Sequence, residues 1–381
     1  MISWAAAGKK CLVWLVLFLI CLGLGYPTLN RYDLRTAVPD AGVYAKLATD
    51  GPGAVENHFR FRILIPLLVR PVYAVARGHV GSWDALSAGF LIVNSAFVAS
   101  TAFLLLEIGF WQLGNYAVVF AGAMLYLLNF AVPNAQLAGL VDGGEGFFML
   151  AIVASLFFRR WWLLPWVGVL GSLTKESFVP FSITLAATWW VVSERDRGER
   201  QNSGNRQDNS RLRTGGWVLG MILAEMAAVT ILQSSISGHL IWPWSFALGL
   251  NSHSNYARNF VAWFTDRNSW YILIWLLPLG LLRMRRFQTS WVAASAATCF
   301  VALVLNAYYG GIGGSGGGVG RYFFDIAGPL LSLSAASFLC DLNPAGVSHM
   351  PRVQVLADQD ADRNEGLVPT GSYRGSRKRV V

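Results

Sequence analysis

The chain contains few charged residues for its size. They make up 13% of its 381 residues, whereas hydrophobic residues make up 54%. An ordinary globular domain carries about 25% charged residues. The deficit is concentrated in long apolar runs, which excludes an ordinary soluble domain and indicates an integral membrane protein. The formal net charge of +9 is then not a nucleic-acid signature, because basic residues beside membrane spans set the orientation of the chain.

Cysteine is also scarce, and internal repeats are absent. The four cysteines have no metal-ligand spacing, and the histidines are scattered, so no metal ligand is assigned to either residue type. The absence of an evident repeat argues against transporters that are built from inverted repeats. The first apolar run ends without a small-x-small cleavage site, so it is interpreted as an uncleaved span rather than a signal peptide.

Apolar stretches long enough to be membrane spans follow one another along the chain. They lie near 11–27, 85–106, 113–130, 143–158, 161–174, 178–193, 215–237, 269–282, 288–308 and 322–340. Several are shorter than the roughly 20 residues that a straight crossing needs, so we expect their ends to extend into polar flanks. The sequence therefore predicts an all-α polytopic membrane protein with about ten transmembrane helices.

Basic segments predict how these helices are oriented. Lys9-Lys10, Arg159-Arg160, the loop 194–213 and the segment 283–286 all fall on the cytoplasmic side if the ten spans begin inside. The prediction divides the chain into a transmembrane domain and a polar tail, with bounds as follows: transmembrane domain 1–340, large external first loop 28–84, cytoplasmic loop 194–213 and disordered cytoplasmic tail 341–381.

The count of ten requires that residues 58–80 do not cross the membrane. This stretch carries Arg60, Arg62, Arg70 and Arg77, and four arginines are costly in a bilayer core. Interleaved apolar residues favour an amphipathic helix that lies in the membrane plane. If the stretch did cross, every later loop would change sides.

Carboxylates at the predicted external ends of spans are candidate site residues. Asp40 begins "DAGVY", with Tyr44 one turn later. Asp40 either caps a surface helix or acts as a general base directed at the bilayer surface. Asp142 and Glu145 in "VDGGEG" open a predicted span. They either stabilise the helix N-terminus through its dipole or supply a second catalytic or metal-binding carboxylate, because hard divalent cations prefer oxygen ligands.

Basic residues near the same predicted face are candidates for binding a phosphate. Lys175 and Glu176 lie in "LTKES" between two apolar runs. They form either a solvated turn or a site in which Lys175 binds phosphate while Glu176 orients it. Arg321 opens the last span, and Arg62 belongs to the amphipathic stretch. Arginine suits the recognition of phosphate.

A glycine-rich stretch, "YYGGIGGSGGGVG" at 308–320, directly precedes Arg321. Residues 311–316 fit the spacing G-x-G-x-x-G, but that fingerprint needs a preceding strand and a βαβ unit, which the flanking spans exclude. No Lys-Ser or Lys-Thr pair follows either. We therefore expect a mobile lip beside a lipid substrate rather than a nucleotide loop.

Four segments together resemble a known family: "DAGVY", "FRFRILIPLL", "LTKES" and "GRYFFDIAGPLL". They resemble the GT-C class of integral membrane glycosyltransferases, which use polyprenyl-phosphate-linked sugars. The bacterial members with an Arg-x-Leu-x-Pro-Leu element in the first loop are most similar, and here that element is Arg62-Ile63-Leu64-Ile65-Pro66-Leu67. The resemblance covers roughly residues 10–340.

The resemblance implies a role for individual residues. Asp40 would be the catalytic base, Asp142 or Glu145 the second acidic residue, and Arg321 the residue that binds the carrier phosphate. Lys175 and Arg62 would add to phosphate binding, with Tyr44 and Glu176 in support; these supporting roles come from the residues themselves. The first loop lacks an Asp-Asp or Glu-Asp pair, so a divalent cation is left open, and no cofactor is assigned.

The expected reaction moves a sugar from polyprenyl phosphate to a hydroxyl of a glycan, lipid or protein acceptor. It would occur on the external side of the cell inner (plasma) membrane, with membrane lipid as a further partner and no nucleic acid. Two other functions remain as alternatives: a transporter or flippase of an anionic lipid or solute, and a structural membrane protein without a site. A transporter would carry charged residues deep within its spans, whereas most charges here lie at span ends.

Overall fold

The computed structural model describes residues 4–31, 33–34, 40–56, 58–198, 207–243, 256–265, 267–309 and 318–342. Within these residues the chain forms helices and turns and no strand, which confirms the prediction of an all-helical protein. Three predicted features lie wholly or mainly outside the described residues. They are the glycine stretch at 310–317, the middle of the polar loop at 199–206, and the tail beyond residue 342.

The α-helices, numbered in chain order, have the following bounds: α1 Trp4–Arg31, α2 Ala41–Thr49, α3 Leu64–Ala76, α4 Ala85–Leu113, α5 Tyr116–Leu127, α6 Asp142–Phe157, α7 Leu164–Ser172, α8 Phe178–Gly198, α9 Gln207–Ser237, α10 Tyr256–Thr265, α11 Arg267–Leu273, α12 Leu276–Arg283, α13 Thr289–Tyr309, α14 Gly318–Ala336 and α15 Leu339–Leu342. Short 3-10 helices occur at Pro52–Ala54, His58–Phe61, Trp161–Leu163 and Met284–Arg286, and a π-helical turn occurs at Val132–Gln136.

Five helical segments of the described chain are long and apolar enough to cross a membrane. They are Ala7–Arg31, Ala85–Leu113, Leu212–Ser237, Thr289–Tyr308 and Gly318–Asp341. These segments belong to α1, α4, α9, α13 and α14, and in each case they overlap a predicted span. By length and composition, these helices fit the membrane-protein character that the sequence indicates.

The predicted span 178–193 falls on α8, whose apolar part is Phe178–Ser193, and the others fall on shorter or interrupted helices. α5 has 12 residues, α6 has 16 and α7 has 9, and the predicted span 269–282 is divided between α11 and α12. At 1.5 Å per residue, a helix of 12 residues is about 18 Å long, less than the roughly 30 Å of a hydrocarbon core. A count of ten crossings thus stays a prediction, as does the external position of the first loop.

The arginine-rich stretch forms two short helices rather than one long helix. A 3-10 turn at His58–Phe61 leads into α3, which has 13 residues and contains Pro71. At about 20 Å, α3 is too short for a straight crossing. Its Ile65 and Val69 are buried, whereas Leu67 is exposed. This division gives α3 two different faces, but its position in the membrane plane stays a prediction.

Arg70 fastens α2 to α3. Its Nε donates to the carbonyl oxygen of Ala48 and its Nη2 to that of Leu47, each at 3.0 Å. These carbonyls lie in the last turn of α2, where backbone acceptors lack helical donors and the helix dipole favours a cation. The contact fixes the position of α2, and therefore that of Asp40 and Tyr44, relative to α3.

We expect the substitution Arg70→Gln to lower the free energy of unfolding by about 2 kcal/mol, because it removes charge-assisted bonds from a partly buried side chain. Thermal or denaturant unfolding of the detergent-solubilised protein measures this loss. Arg77→Gln is the matched control, since Arg77 is an exposed arginine at the end of the same helix. Equal losses in the two variants would show that Arg70 does not anchor α2.

Candidate functional site

Charged side chains from separate segments meet where several helices begin. Asp142 and Glu145 lie in the first turn of α6, and Lys175 lies in the turn between α7 and α8. Arg321 lies in the first turn of α14, and Arg62 lies just before α3. Glu176 pairs with Arg62, and the carboxylate of Asp325 lies within 4.8 Å of those of Asp142 and Glu145. We call the whole group the charged cluster: Arg62, Asp142, Glu145, Lys175, Glu176, Arg321 and Asp325.

Lys175 bridges the two carboxylates of α6. Its Nζ lies 2.8 Å from Oδ1 of Asp142 and 2.8 Å from Oε2 of Glu145, and 4.2 Å from the centre of the Tyr322 ring. The hydroxyl of Ser177 donates to the other oxygen of Glu145 at 2.5 Å. Burial by itself lowers the pKa of Lys175, but the two carboxylates more than reverse this and hold it well above its usual value. Lys175 is therefore a buried, charged residue, and the solvated-turn interpretation is wrong for it.

The sequence "DGGEG" allows these carboxylates to begin a buried helix. Neither side chain caps α6, because the capping position is Val141, which makes no side-chain bond. The glycines let neighbouring groups approach the backbone closely. A Cβ atom at Gly144 would lie 2.9 Å from Cδ1 of Ile65, and one at Gly146 would lie 3.1 Å from Oδ1 of Asp325. The glycines lower the helix propensity of the first turn of α6, but they allow the cluster to pack closely against it.

Arg62 and Glu176 form a second ion pair beside the first. Nε of Arg62 donates to Oε2 of Glu176 at 2.7 Å, and its Nη2 donates to the other carboxylate oxygen, so the pair is bidentate. The remaining Nη1 donates to the hydroxyl of Tyr44 at 2.6 Å, and the guanidinium lies over the ring of Phe59. Burial raises the pKa of Glu176, but Arg62 outweighs this effect and keeps it below its usual value.

Arg321 is held more loosely than the other two cations of the cluster. Its Nη1 lies 3.5 Å from Oδ2 of Asp142, and its buried Nε has no hydrogen-bond partner among the described residues. The side chain is 12% exposed, compared with 4% for Lys175. Arg321 is therefore the cation of the cluster whose donors are least engaged by carboxylates.

Sequence reasoning missed Asp325, a further buried acidic residue of the cluster. It lies four residues after Arg321 on α14, a spacing that places both on one face of a helix, so the sequence did contain a signal. Its Oδ1 accepts a hydrogen bond from Nε2 of Gln136 at 2.7 Å, and Tyr126 donates to the same amide at 3.0 Å. Its Oδ2 has no hydrogen-bond partner in the part of the chain that the structure describes.

Three of the carboxylates could in principle hold a metal ion. Ligand oxygens of Asp142, Glu145 and Asp325 lie within 4.8 Å of one another, all buried. The Nζ of Lys175 already lies 2.8 Å from two of these residues, so a divalent cation would have to displace the ammonium group. The arrangement favours a site in which lysine supplies the positive charge itself.

Asp40 lies at the start of α2, on the exposed side of the cluster. It occupies the capping position of the helix but makes no side-chain capping bond, and its φ of 68° is left-handed, which costs roughly 1–2 kcal/mol for a residue other than glycine. The nearby His58 lies 3.9 Å from Glu176. Burial lowers the pKa of His58 below its usual value, and the charges of Glu176 and Asp40 oppose this shift. Asp40 therefore acts electrostatically on the rim of the cluster, and its carboxylate is not used for capping.

Comparison of the chain with protein-family models, with curated proteins and with solved structures finds no match. The roles of these residues must therefore be argued from the geometry of the cluster and from the resemblance of the short motifs.

We expect Lys175→Met to lower the free energy of unfolding by about 3–5 kcal/mol, because it leaves Asp142 and Glu145 buried without their cation. Unfolding of the purified protein in detergent measures the loss. The double substitution Lys175→Met with Glu145→Gln should lose less stability than Lys175→Met alone, since it removes one of the stranded charges. Lys46→Met, at an exposed position on α2, is the control. A loss at position 175 no larger than at position 46 would contradict the bridging role.

Proposed function

We propose that the protein is a membrane glycosyltransferase that moves a sugar from a polyprenyl-phosphate carrier to an acceptor hydroxyl. The observation that carries the proposal is the convergence of Arg62, Lys175 and Arg321 with acidic residues where α6, α8 and α14 begin. A carrier whose chain lies in the bilayer would present its phosphate at the ends of such helices. Clustered cations at that depth suit a phosphate group.

The contacts support different roles for the three cations. Arg62 and Lys175 hold Glu176 and Asp142 at 2.7 and 2.8 Å, so a substrate would have to break short ion pairs to reach them. Arg321 has only a longer contact of 3.5 Å, which an incoming phosphate can replace at little cost. Arg321 therefore binds the phosphate, while Arg62 and Lys175 supply positive potential and order the surrounding acids.

Asp40 is the general base in the proposed reaction. Its carboxylate takes the proton of the acceptor hydroxyl, and the hydroxyl oxygen attacks the anomeric carbon as the bond to the phosphate oxygen breaks. A single displacement inverts the configuration at that carbon, and the polyprenyl phosphate leaves as a dianion stabilised by Arg321. The exposed, uncapped carboxylate and the left-handed backbone of Asp40 support this role, since backbone strain tends to occur at functional sites.

We expect Asp40→Asn and Arg321→Ala each to reduce sugar transfer by about a hundredfold or more, as the loss of a general base or of charge stabilisation does. Purified protein in vesicles, a panel of labelled polyprenyl-phosphate hexoses and pentoses, and a lipid and glycan extract as acceptor provide the assay. Asp50→Asn, at the other end of α2, and Arg285→Ala, at an exposed site, are the matched controls. Undiminished transfer by both site variants would overturn the assignment.

The proposed reaction places the charged cluster outside the cytoplasm, and cysteine labelling tests this. Ala54 is exposed in the loop before Arg62. Gln288 precedes α13 and adjoins the basic residues Arg285 and Arg286, which favour the cytoplasmic side. In a chain without its native cysteines, an impermeant maleimide applied to spheroplasts should label the Ala54→Cys protein and not the Gln288→Cys protein. The reverse pattern would rule out an external site.

Transport of an anionic lipid or solute is a second candidate, and Glu225 is the observation that favours it. This glutamate is fully buried within α9, and a carboxyl group deep in a span is what a transporter is expected to contain. A transporter would move a polyprenyl-phosphate sugar across vesicles without cleaving it. Recovery of the intact, translocated lipid with no transferred sugar would favour transport over transfer.

A further inference from the structure

A buried carboxyl group lies in the middle of a membrane helix, away from the charged cluster. Glu225 is 0% exposed and lies 12 residues from Ser237 at the end of α9, which is about 18 Å along the helix axis. The apolar segment of this helix extends over Leu212–Ser237. In a membrane crossed by this segment, whose hydrocarbon core is roughly 30 Å thick, Glu225 would lie near the centre.

No cation among the described residues faces this carboxyl group. α9 packs against α7 and α8; α7 contains no charged residue, and the charged residues of α8 begin at Glu194. On α9 itself, Arg213 lies 12 residues away, with its guanidinium 5.9 Å from the ring of Trp161.

Two short 3-10 helices also contact α9, and they bring no ion pair to Glu225. In the turn at His58–Phe61, Arg60 donates to the hydroxyl of Ser237 at 2.7 Å, and His58 lies beside Glu176. The turn at Trp161–Leu163 has no charged residue. An ionised Glu225 would thus be an unpaired buried charge, which is far more costly than a neutral acid.

The hydroxyl of Ser182 shows where a proton must lie. Its Oγ is 2.8 Å from the carbonyl oxygen of Val179 and 2.8 Å from Oε2 of Glu225. A serine hydroxyl has one hydrogen and can donate only one of these bonds. If Glu225 were ionised, its Oε2 and the carbonyl oxygen of Val179 would both be acceptors, and one of the two contacts would lack a hydrogen. Both contacts are satisfied when Oε2 carries a proton and donates to Ser182, which in turn donates to Val179.

Gly168 on α7 makes room for the same carboxyl group. A Cβ atom at this position would lie 2.6 Å from Oε1 of Glu225, so any larger residue would displace the acid. Oε1 has no hydrogen-bond partner among the described residues. A neutral acid tolerates such a bare carbonyl oxygen better than a carboxylate does, because its charge is not left unsolvated.

We propose that Glu225 is a reversible proton-binding site in the middle of the membrane, and that Ser182 changes hydrogen-bond partner as the proton enters and leaves. In the protonated state Glu225 donates to Ser182 and Ser182 donates to Val179. When the proton leaves, the Ser182 hydroxyl turns from the Val179 carbonyl and donates to the carboxylate. The ligand is a proton alone, and the site shares no residue with the charged cluster, so the inference does not rest on the proposed transferase activity.

Infrared spectroscopy of the full chain in vesicles tests the proposal. With ¹³C-labelled glutamate side chains, the wild-type protein should show the carbonyl band of a protonated glutamic acid at neutral pH. Glu225→Gln, which keeps the shape of the neutral acid, should lack it. The band should disappear reversibly as the pH rises. The proposal would be overturned if Glu225 were a carboxylate at neutral pH, or if the carbonyl band persisted to the highest pH at which the protein stays folded. If Glu225→Gln does not fold, a shift of the band's titration in Ser182→Ala, whose hydroxyl contacts Glu225, assigns the band to this residue.

Ser182→Ala tests the exchange of partners. It removes the donor that the described residues offer to the ionised form, and bonds to charged groups are stronger than those to neutral groups. The midpoint of the titration should therefore move to higher pH by about one unit or more. Thr184→Val on the same helix is the control, since that hydroxyl donates to the carbonyl of Pro180. An unchanged midpoint in Ser182→Ala would show that Ser182 does not serve the proton site.

Discussion

The ammonium group of Lys175 is the interaction on which the charged cluster depends. It lies 2.8 Å from Asp142 and from Glu145, and all three residues are buried. Removing any one of these charges from water alone is unfavourable. Burial of all three is tolerable because the ammonium group lies at a short distance from both carboxylates. The bridge fixes the turn before α8 against the first turn of α6. It also leaves the second oxygen of Asp142 directed at Arg321, so the position of the loosely held cation follows from it.

The cluster opens towards one side, and this gives its residues different roles. Side-chain exposure rises from 4% at Lys175 through 12% at Arg321 to 22% at Glu176 and 32% at His58. The inner ion pairs are therefore shielded from solvent and hold the geometry, whereas the outer groups can meet a substrate. Arg321, with its longer contact and a side chain that is 12% exposed, is more accessible to a phosphate than Lys175, which is 4% exposed.

The members of this site could be selected from the sequence, but their partners could not. Charges are rare in an apolar chain, so Asp142, Lys175 and Arg321 were conspicuous at the ends of apolar runs. That Lys175 pairs with acids 30 and 33 residues away depends on how helices pack, and spacing along the chain does not encode this. Lys175 consequently looked like a phosphate ligand from the sequence, although the structure shows its ammonium group engaged by carboxylates.

The expectation about the fold was confirmed only in its coarser part, for a related reason. Apolar runs predicted helices correctly, but hydropathy does not show where a helix breaks, so the run 269–282 became two short helices. Glu225 was overlooked because a single carboxyl within the apolar run 215–237 changes its average hydropathy little. Only the packed structure shows that the residue faces Ser182 and Gly168 rather than the end of the helix.

The charged cluster and the site at Glu225 bury their carboxyl groups in two physically different ways. Glu145 lies beside a lysine and a serine that both donate to it, so it holds its cation in place. Among the described residues, Glu225 faces no cation and one serine hydroxyl that is shared with a backbone carbonyl, so we infer that a proton neutralises it. A fixed ion pair suits a site that needs a constant shape. A carboxyl that faces no cation among the described residues suits a site that responds to the binding and release of a proton.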